Sequence, residues 1–369
     1  MAAGSGIGNL FRITTWGESH GKGVGVVVDG CPAGLALCEE DIQSYLDRRK
    51  PGTSKVTTPR KEDDQVEILS GVFEGRTTGT PISMVVFNKT QRSRDYSEIA
   101  SYYRPGHADY TYDCKYGFRD YTGGGRSSGR ETIARVAAGA IAAKLLKEMG
   151  ITVEAYTKSI GPVSISEENF DMEQRFCNAV CMPDAHAAEK AAEYLETCMN
   201  NHDSSGGVIE CRIKGVPAGL GEPCFEKLSS NLGKAILSIG AVKGFEIGDG
   251  FAVAESTGLT NNDAFYYNAD GKVEKKTNHA GGILGGISDG SEIVFRAAIK
   301  PTPSVFAEQE TISKSGENIV VNIKGRHDPV IVPRAVVVAE CMAAVTVLDA
   351  LLVNMSAKLD NIKKFYDKV

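Results

Sequence analysis

Ile133-Ala134-Arg135-Val136-Ala137-Ala138-Gly139-Ala140-Ile141-Ala142-Ala143 is apolar on nearly every side of a helix. A surface helix carries an apolar stripe, whereas one that is apolar all round has to be enclosed by other elements. The helical pattern runs from Arg130 to Met149, so the fold is expected to be built around it. A second run of the same kind extends from Pro333 to Val353, with a proline suited to a first helical turn. From Ala335 onward its polar interruptions are Glu340, Cys341, Thr346 and Asp349. Two central carboxylates would cost roughly 2.5–3.5 kcal/mol each in a bilayer, so a buried helix is expected and not a membrane span. Both runs follow polar, Arg-containing, glycine-bearing loops, which hints at two related halves.

Around these helices, strands and helices interleave without a fixed period. Strand patterns fall on Ile7 to Thr15, Val24 to Asp29, Val66 to Val72, Pro81 to Asn88, Val208 to Lys214, Phe251 to Glu255, Glu292 to Ile299 and Ile319 to Ile323. Helical patterns fall on Glu39 to Lys50, Asp184 to Asn200 and Phe225 to Ser238. No Pro/Ser-rich linker interrupts the chain, so residues 1–369 read as one domain despite a length that would accommodate two or three.

Hydrophobic residues make up 42% and charged residues 24%, enough for a sizeable core and unlike a disordered chain. Glycine is in excess at 41 of 369 residues, or about 11% against a usual ~7%. Much of it stands in paired or tripled runs, where bare backbone can approach a ligand. The net charge of −6 argues against a general nucleic-acid binder. Nine cysteines, an odd number without regular spacing, suit a reducing compartment. Cys177 and Cys181 lack a second pair to complete a metal site, and no metal is expected. The N-terminus lacks a basic region followed by an apolar stretch, so a cytoplasmic location is expected.

Chemistry concentrates in four polar clusters. Two are histidine turns, Thr15-Trp16-Gly17-Glu18-Ser19-His20-Gly21 and Tyr103-Arg104-Pro105-Gly106-His107-Ala108-Asp109. An imidazole titrates near pH 6.5, so each is a candidate acid/base group. The other two, Gly123 to Thr132 and Lys324 to Pro329, add guanidinium groups, hydroxyls and a carboxylate. Arg48 to Lys61 carries six cations and no acid in a Pro/Gly/Thr/Ser context, the pattern of a loop that closes over a small polyanion. No G-x-G-x-x-G or P-loop pattern is present, so no Rossmann domain is expected.

Read together, these motifs resemble the chorismate synthase family. The resemblance rests on Gly17 to Gly21, Asp29 to Gly34, Arg104 to Asp109, Gly124 to Thr132, Ala241 to Gly244, Asn278 to Gly282 and Arg326 to Pro329, in family order along almost the whole chain. It implies an α+β fold: a layered β-α-β sandwich with long central helices between antiparallel sheets and pseudo-two-fold halves. It also implies a cytoplasmic homotetramer that binds neither nucleic acid nor membrane. The implied reaction is a 1,4-elimination of phosphate from 5-enolpyruvylshikimate 3-phosphate that yields chorismate and needs reduced FMN, with NADPH as an external reductant.

Under that resemblance, flavin contacts fall on Arg126, Ser127, Ser128, Gly240, Ala241, Gly286, Lys300, Pro301, Thr302, Pro303, Ser304 and Arg326. His20, with the substrate-binding cations Arg49, Lys55 and Arg130, would meet the leaving phosphate, since growing negative charge needs fixed positive charge or a proton. His107 would stabilise the reduced flavin. Asp328, two positions from Arg326 and on the same side of an extended segment, would accept the C6 proton. Ser19 and Ser128 would be supporting donors. Two other readings stay open: a flavin oxidoreductase using NAD(P)H, and a non-catalytic polyanion or RNA binder acting through the basic loop.

Overall fold

A computed structural model describes residues 4–50, 63–89, 98–323 and 328–367. The first sheet is made by β1 (Gly6–Ile7), β2 (Arg12–Gly17), β3 (Gly23–Asp29), β4 (Val66–Ile68) and β7 (Ile82–Phe87), with α1 (Glu39–Arg49) between β3 and β4. A ribbon of β5 (Val72–Phe73) and β6 (Arg76–Thr77) precedes β7. The sheet order is β1-β2-β3-β7-β4, antiparallel throughout. Its β2 strand alternates in burial, so Ile13 and Thr15 face inward while Thr14 and Trp16 face out.

Two helices follow, α2 (Asp109–Tyr116) and α3 (Thr132–Glu148). The second sheet then forms from β8 (Thr152–Ile160), β9 (Val163–Ser164), β10 (Gly207–Lys214), β11 (Val242–Ile247) and β16 (Ile293–Ile299). Its order is β11-β16-β10-β8-β9, again antiparallel. Between these strands lie α4 (Ala185–Asn200), α5 (Leu228–Leu237), the short α6 (Gly258–Asn261), and the ribbons β12 (Phe265–Tyr267) with β13 (Val273–Lys275) and β14 (Ile283–Leu284) with β15 (Ile287–Ser288). The ribbon β17 (Glu308–Ile312) with β18 (Asn318–Asn322) leads to α7 (Val332–Asn354) and α8 (Leu359–Tyr366).

The helices form the middle layer. α1 and α3 pack against the first sheet, α5 and α7 against the second, and α3 packs on α7. Each half thus contributes five antiparallel strands and two covering helices, the layered α+β sandwich with related halves that the motifs imply. The two central helices approach at Gly139, where an added Cβ would lie 2.2 Å from Cys341 Cβ. Glycine is required there because any side chain would push the helices apart.

By length and composition α7 could cross a membrane, yet 78% of its most apolar window is buried by protein. Its carboxylates act as internal fasteners. Glu340 takes both guanidinium nitrogens of Arg48 at 2.7 and 2.9 Å and the Ala155 amide at 3.1 Å. Asp349 accepts the backbone N–H groups of Asn9, Leu10 and Phe11, its Oδ1 at 3.0, 2.7 and 3.0 Å, and so holds the β1–β2 turn.

Four expectations change, the first being that Val66 to Val72 is one strand: β4 ends at Ile68 and β5 begins at Val72 in a separate ribbon, with Gly71 at φ 82° between them. Phe251 to Glu255 is not a strand; it lies in a 3₁₀ helix, Gly250–Glu255. Gly248 and Gly250 turn the chain with φ of 57° and 58°, and β11 already pairs along that edge of β16. Ile7 to Thr15 is split by a turn at Gly8, φ 97°, into β1 and β2. Arg130 opens no α-helix: two 3₁₀ turns, Gly125–Ser127 and Gly129–Glu131, lead into α3.

Candidate active site

The polar loops meet where β2 ends and α3 begins. Beyond β2 the chain turns through Ser19 and His20, with Ser19 Oγ 3.2 Å from His20 Nδ1 and donating to the Gly123 carbonyl at 3.3 Å. Gly123, φ 75°, lies so close to the imidazole that a Cβ would sit 2.2 Å from His20 Cε1. The triple glycine is therefore a seat for this histidine. The same turn is held by Asn88 at the end of β7, whose amide donates to the carbonyls of Glu18 and Gly21 at 3.1 and 2.8 Å.

Asn88 also accepts from Arg130 Nε at 2.5 Å, which ties the His20 turn to a buried charge cluster. At its centre is Asp64, whose side chain is fully buried and whose backbone is left-handed at φ 43°. Arg49 NH2 meets one carboxylate oxygen at 2.8 Å and Arg130 NH1 the other at 2.9 Å. Burial works to raise the Asp64 carboxyl, but the two guanidinium groups outweigh it and hold it below the usual carboxylate range. Burial pulls Arg49 down to about 10; Asp64 opposes that, while Arg334 and Arg130 add to it. Beside Asn88, an open cleft of about 550 Å³ is lined by Lys22, Phe87, Asn88 and Lys89.

Asp328 is nearly buried and joins this cluster through Arg334 of α7, whose NH1 donates to Oδ2 at 2.6 Å and whose Nε donates to the Arg49 carbonyl at 3.1 Å. The next residues run beside Ser204-Ser205: the Ser205 amide donates to the Pro329 carbonyl at 2.8 Å, and Ser204 Oγ donates to the Thr302 carbonyl at 2.7 Å. This leads to the His107 turn, where Ser304 Oγ is 2.7 Å from Nε2 and Lys300 Nζ donates to the Gly106 carbonyl at 2.5 Å. The Lys300 amide donates to the carbonyl of Ala241, a residue held at φ 72°. Burial, then the neighbouring charge of Lys243, lowers the Lys300 ammonium. Arg104, locked to Asp109 at 2.8 Å, is also close to Gly124.

The chorismate synthase family model matches residues 11–352. The chain belongs to the chorismate synthase family. The chorismate synthase of Agathobacter rectalis is 69% identical over the full length of both chains. That of Cytophaga hutchinsonii is 53% identical over 96% of this chain and 99% of its own. A crystal structure of chorismate synthase covers 98% of each chain at a TM-score of 0.77 and 31% identity. Chorismate synthases are flavin-dependent lyases of the shikimate pathway, so this chain is an enzyme of that class, and the oxidoreductase reading is not favoured.

Against that family pattern, the structure gathers His20, Ser19, Arg49, Arg130, Ser128 and Asp328 in one region, and His107, Lys300 to Ser304, Gly240 and Ala241 in an adjoining one. Lys55, Arg326 and most of the basic loop lie outside the described residues. Arg49 and Arg130 are bound to Asp64 and do not stand as isolated cations. Arg126 turns its guanidinium toward β2, donating to Thr15 Oγ1 at 2.7 Å and Gly17 O at 3.3 Å. Ser127 Oγ donates to the Gly124 carbonyl at 2.7 Å, and Ser128 Oγ accepts the Arg130 amide at 3.3 Å. Gly286 lies in the β14–β15 turn against Lys227, at the start of α5, whereas Gly240 and Ala241 follow the end of that ten-residue helix. That helix, about 15 Å long, runs between the two positions. Asp64, Asn88 and Arg334 are the residues that sequence reasoning missed.

Proposed function

We propose that this member of the chorismate synthase family converts 5-enolpyruvylshikimate 3-phosphate to chorismate and inorganic phosphate by a 1,4-elimination that uses reduced FMN, with NADPH as an external reductant. The observation that carries this reading is the buried Asp64 carboxylate holding Arg49 and Arg130 side by side and joined through Asn88 to the His20 turn. A phosphate leaving group needs such fixed positive charge.

The cofactor loop fits a ligand with a phosphate and a hydrogen-bonding edge. The Thr302 hydroxyl is buried with no hydrogen-bond partner among the described residues, beside the cationic Lys300 and the left-handed Ala241. Lys300, Thr302, Ser304 and Ala241 would hold FMN, with Arg326 from outside the described residues. The chemistry that reduced FMN supplies when bound is electron density toward the breaking C3–O bond. His20, with Nδ1 engaged by Ser19, gives charge or a proton to the departing phosphate through Nε2. Ser128 spends its acceptor on the Arg130 amide, which leaves its O–H to donate. His107, its ring fixed by Ser304, stabilises charge at the reduced cofactor. Asp328 accepts the proton from C6.

We further propose that residues 1–369 act as one domain in a cytoplasmic homotetramer. Nine free thiols suit a reducing compartment. Phe225, Phe251, Leu259 and Tyr267, between 77% and 96% exposed, favour coverage by further copies of the chain, which sedimentation would test. Anaerobic incubation with substrate, FMN and dithionite tests the reaction: phosphate and chorismate should appear together, and only with reduced flavin. NADPH consumption in step with product would favour an oxidoreductase instead. Substrate binding without turnover would leave a polyanion binder.

A further inference from the structure

Arg334 is out of place by the rules of helix electrostatics. It stands in the first turn of α7, where the aligned peptide dipoles present positive charge and disfavour a cation. Packing does not require it there, because the buried Val332 and Pro333 anchor the start of the helix. Its guanidinium is held at two edges. NH1 grips Asp328 Oδ2 at 2.6 Å and Nε grips the Arg49 carbonyl at 3.1 Å. One planar group therefore joins the carboxylate beside α7 to the backbone of an arginine that is itself fixed by Asp64.

We propose that Arg334 is a positioning residue for the elimination: it orients Asp328 toward C6 and ties it to Arg49, so that proton acceptor and phosphate-facing cation share one rigid frame. The inference rests on Asp328 being the acceptor of the C6 proton. In the step served, the C6–H bond breaks and its proton passes to the Asp328 carboxylate. The C3–O bond breaks, phosphate leaves with that electron pair, and the second double bond of the product ring forms.

The test uses the full chain with reduced FMN under anaerobic conditions and substrate deuterated at C6, comparing Arg334→Gln, Arg334→Lys, Asp328→Asn and the double variant Asp328→Asn/Arg334→Gln. Misplacement of a reacting group by about 1 Å can cost about 10²-fold, so Arg334→Gln should lose about that much kcat with KM changed only a few-fold. Its C6 isotope effect should rise, added guanidinium should restore part of the rate, and Arg334→Lys should fall between. The double variant should be no slower than Asp328→Asn alone, since both changes act on one group. The inference is overturned if Arg334→Gln and Arg334→Lys fold, keep parental kcat and isotope effect, and yet Asp328→Asn shows the raised isotope effect. Parental turnover and isotope effect in Asp328→Asn would instead refute the reading of Asp328 itself.

Discussion

Replacing Asp64 with asparagine removes a charge and almost nothing else. The two side chains match in shape, and asparagine tolerates the φ of 43° that the backbone adopts here. What is lost is the anion between two buried guanidinium groups, at 2.8 Å from Arg49 and 2.9 Å from Arg130. Breaking a buried pair from one side costs about 3–5 kcal/mol, and two charge-assisted hydrogen bonds at about 1.5–3 kcal/mol each give a similar figure. Over 369 residues, an unfolding entropy of about 2.1 cal/mol/K per residue makes that a fall of about 4–6 °C in Tm. Urea titration and calorimetry measure it, with Asp63→Asn as an exposed control expected within about 0.5 kcal/mol. The Asp64 carboxyl sits below its ordinary value in the fold, so its contribution is complete above the unfolded pKa and lost as pH falls through the folded one. The difference between wild type and variant should therefore narrow below about pH 4. An Asp64→Asn protein as stable as the Asp63→Asn control would refute the reasoning.

His20→Ala and His107→Ala should each fold normally and lose about 10²–10⁴-fold in turnover, measured as anaerobic phosphate release with unchanged thermal unfolding as the control. Gly123→Ala should lower turnover as His20→Ala does, because the new methyl would occupy the imidazole's place; retention of parental kcat would show that the glycine seat has slack. Gly139→Val should destabilise by at least about 1–3 kcal/mol in urea titration, and Cys341→Gly in the same chain, which removes the Cβ that an added side chain meets, should recover part of the loss.

The parts of the fold that could be read from sequence are those where burial leaves no polar residue to confuse the pattern. α3 and α7 are apolar on all sides, and β3 is almost continuously β-branched. β8 escaped notice because its buried positions include Thr157 and Ser159, which break the alternation of apolar and polar residues. The run at 251–255 has the composition of a strand, but pairing depends on a free edge that lies elsewhere in the chain. In the site, His20, His107, Arg49 and Arg130 announced themselves by residue type in glycine-rich or basic surroundings. Asp64 looked like one more charge beside Asp63, since its partners lie 15 and 66 positions away. Arg334 was hidden inside a helix start, where a cation has no local reason to be.

The Asp349 carboxylate that holds the β1–β2 turn also sets a timetable for the chain. Its partner Asn9 was made 340 residues earlier. At synthesis rates of about 5–20 residues per second, that turn waits about 20–70 s after leaving the ribosome before its latch exists. Throughout that interval β1, an edge strand, has only β2 to hold it. A nascent chain cut short before α7 would lack the carboxylate that gathers the Asn9, Leu10 and Phe11 amides, and the turn that sets the β1–β2 register would be left without its latch.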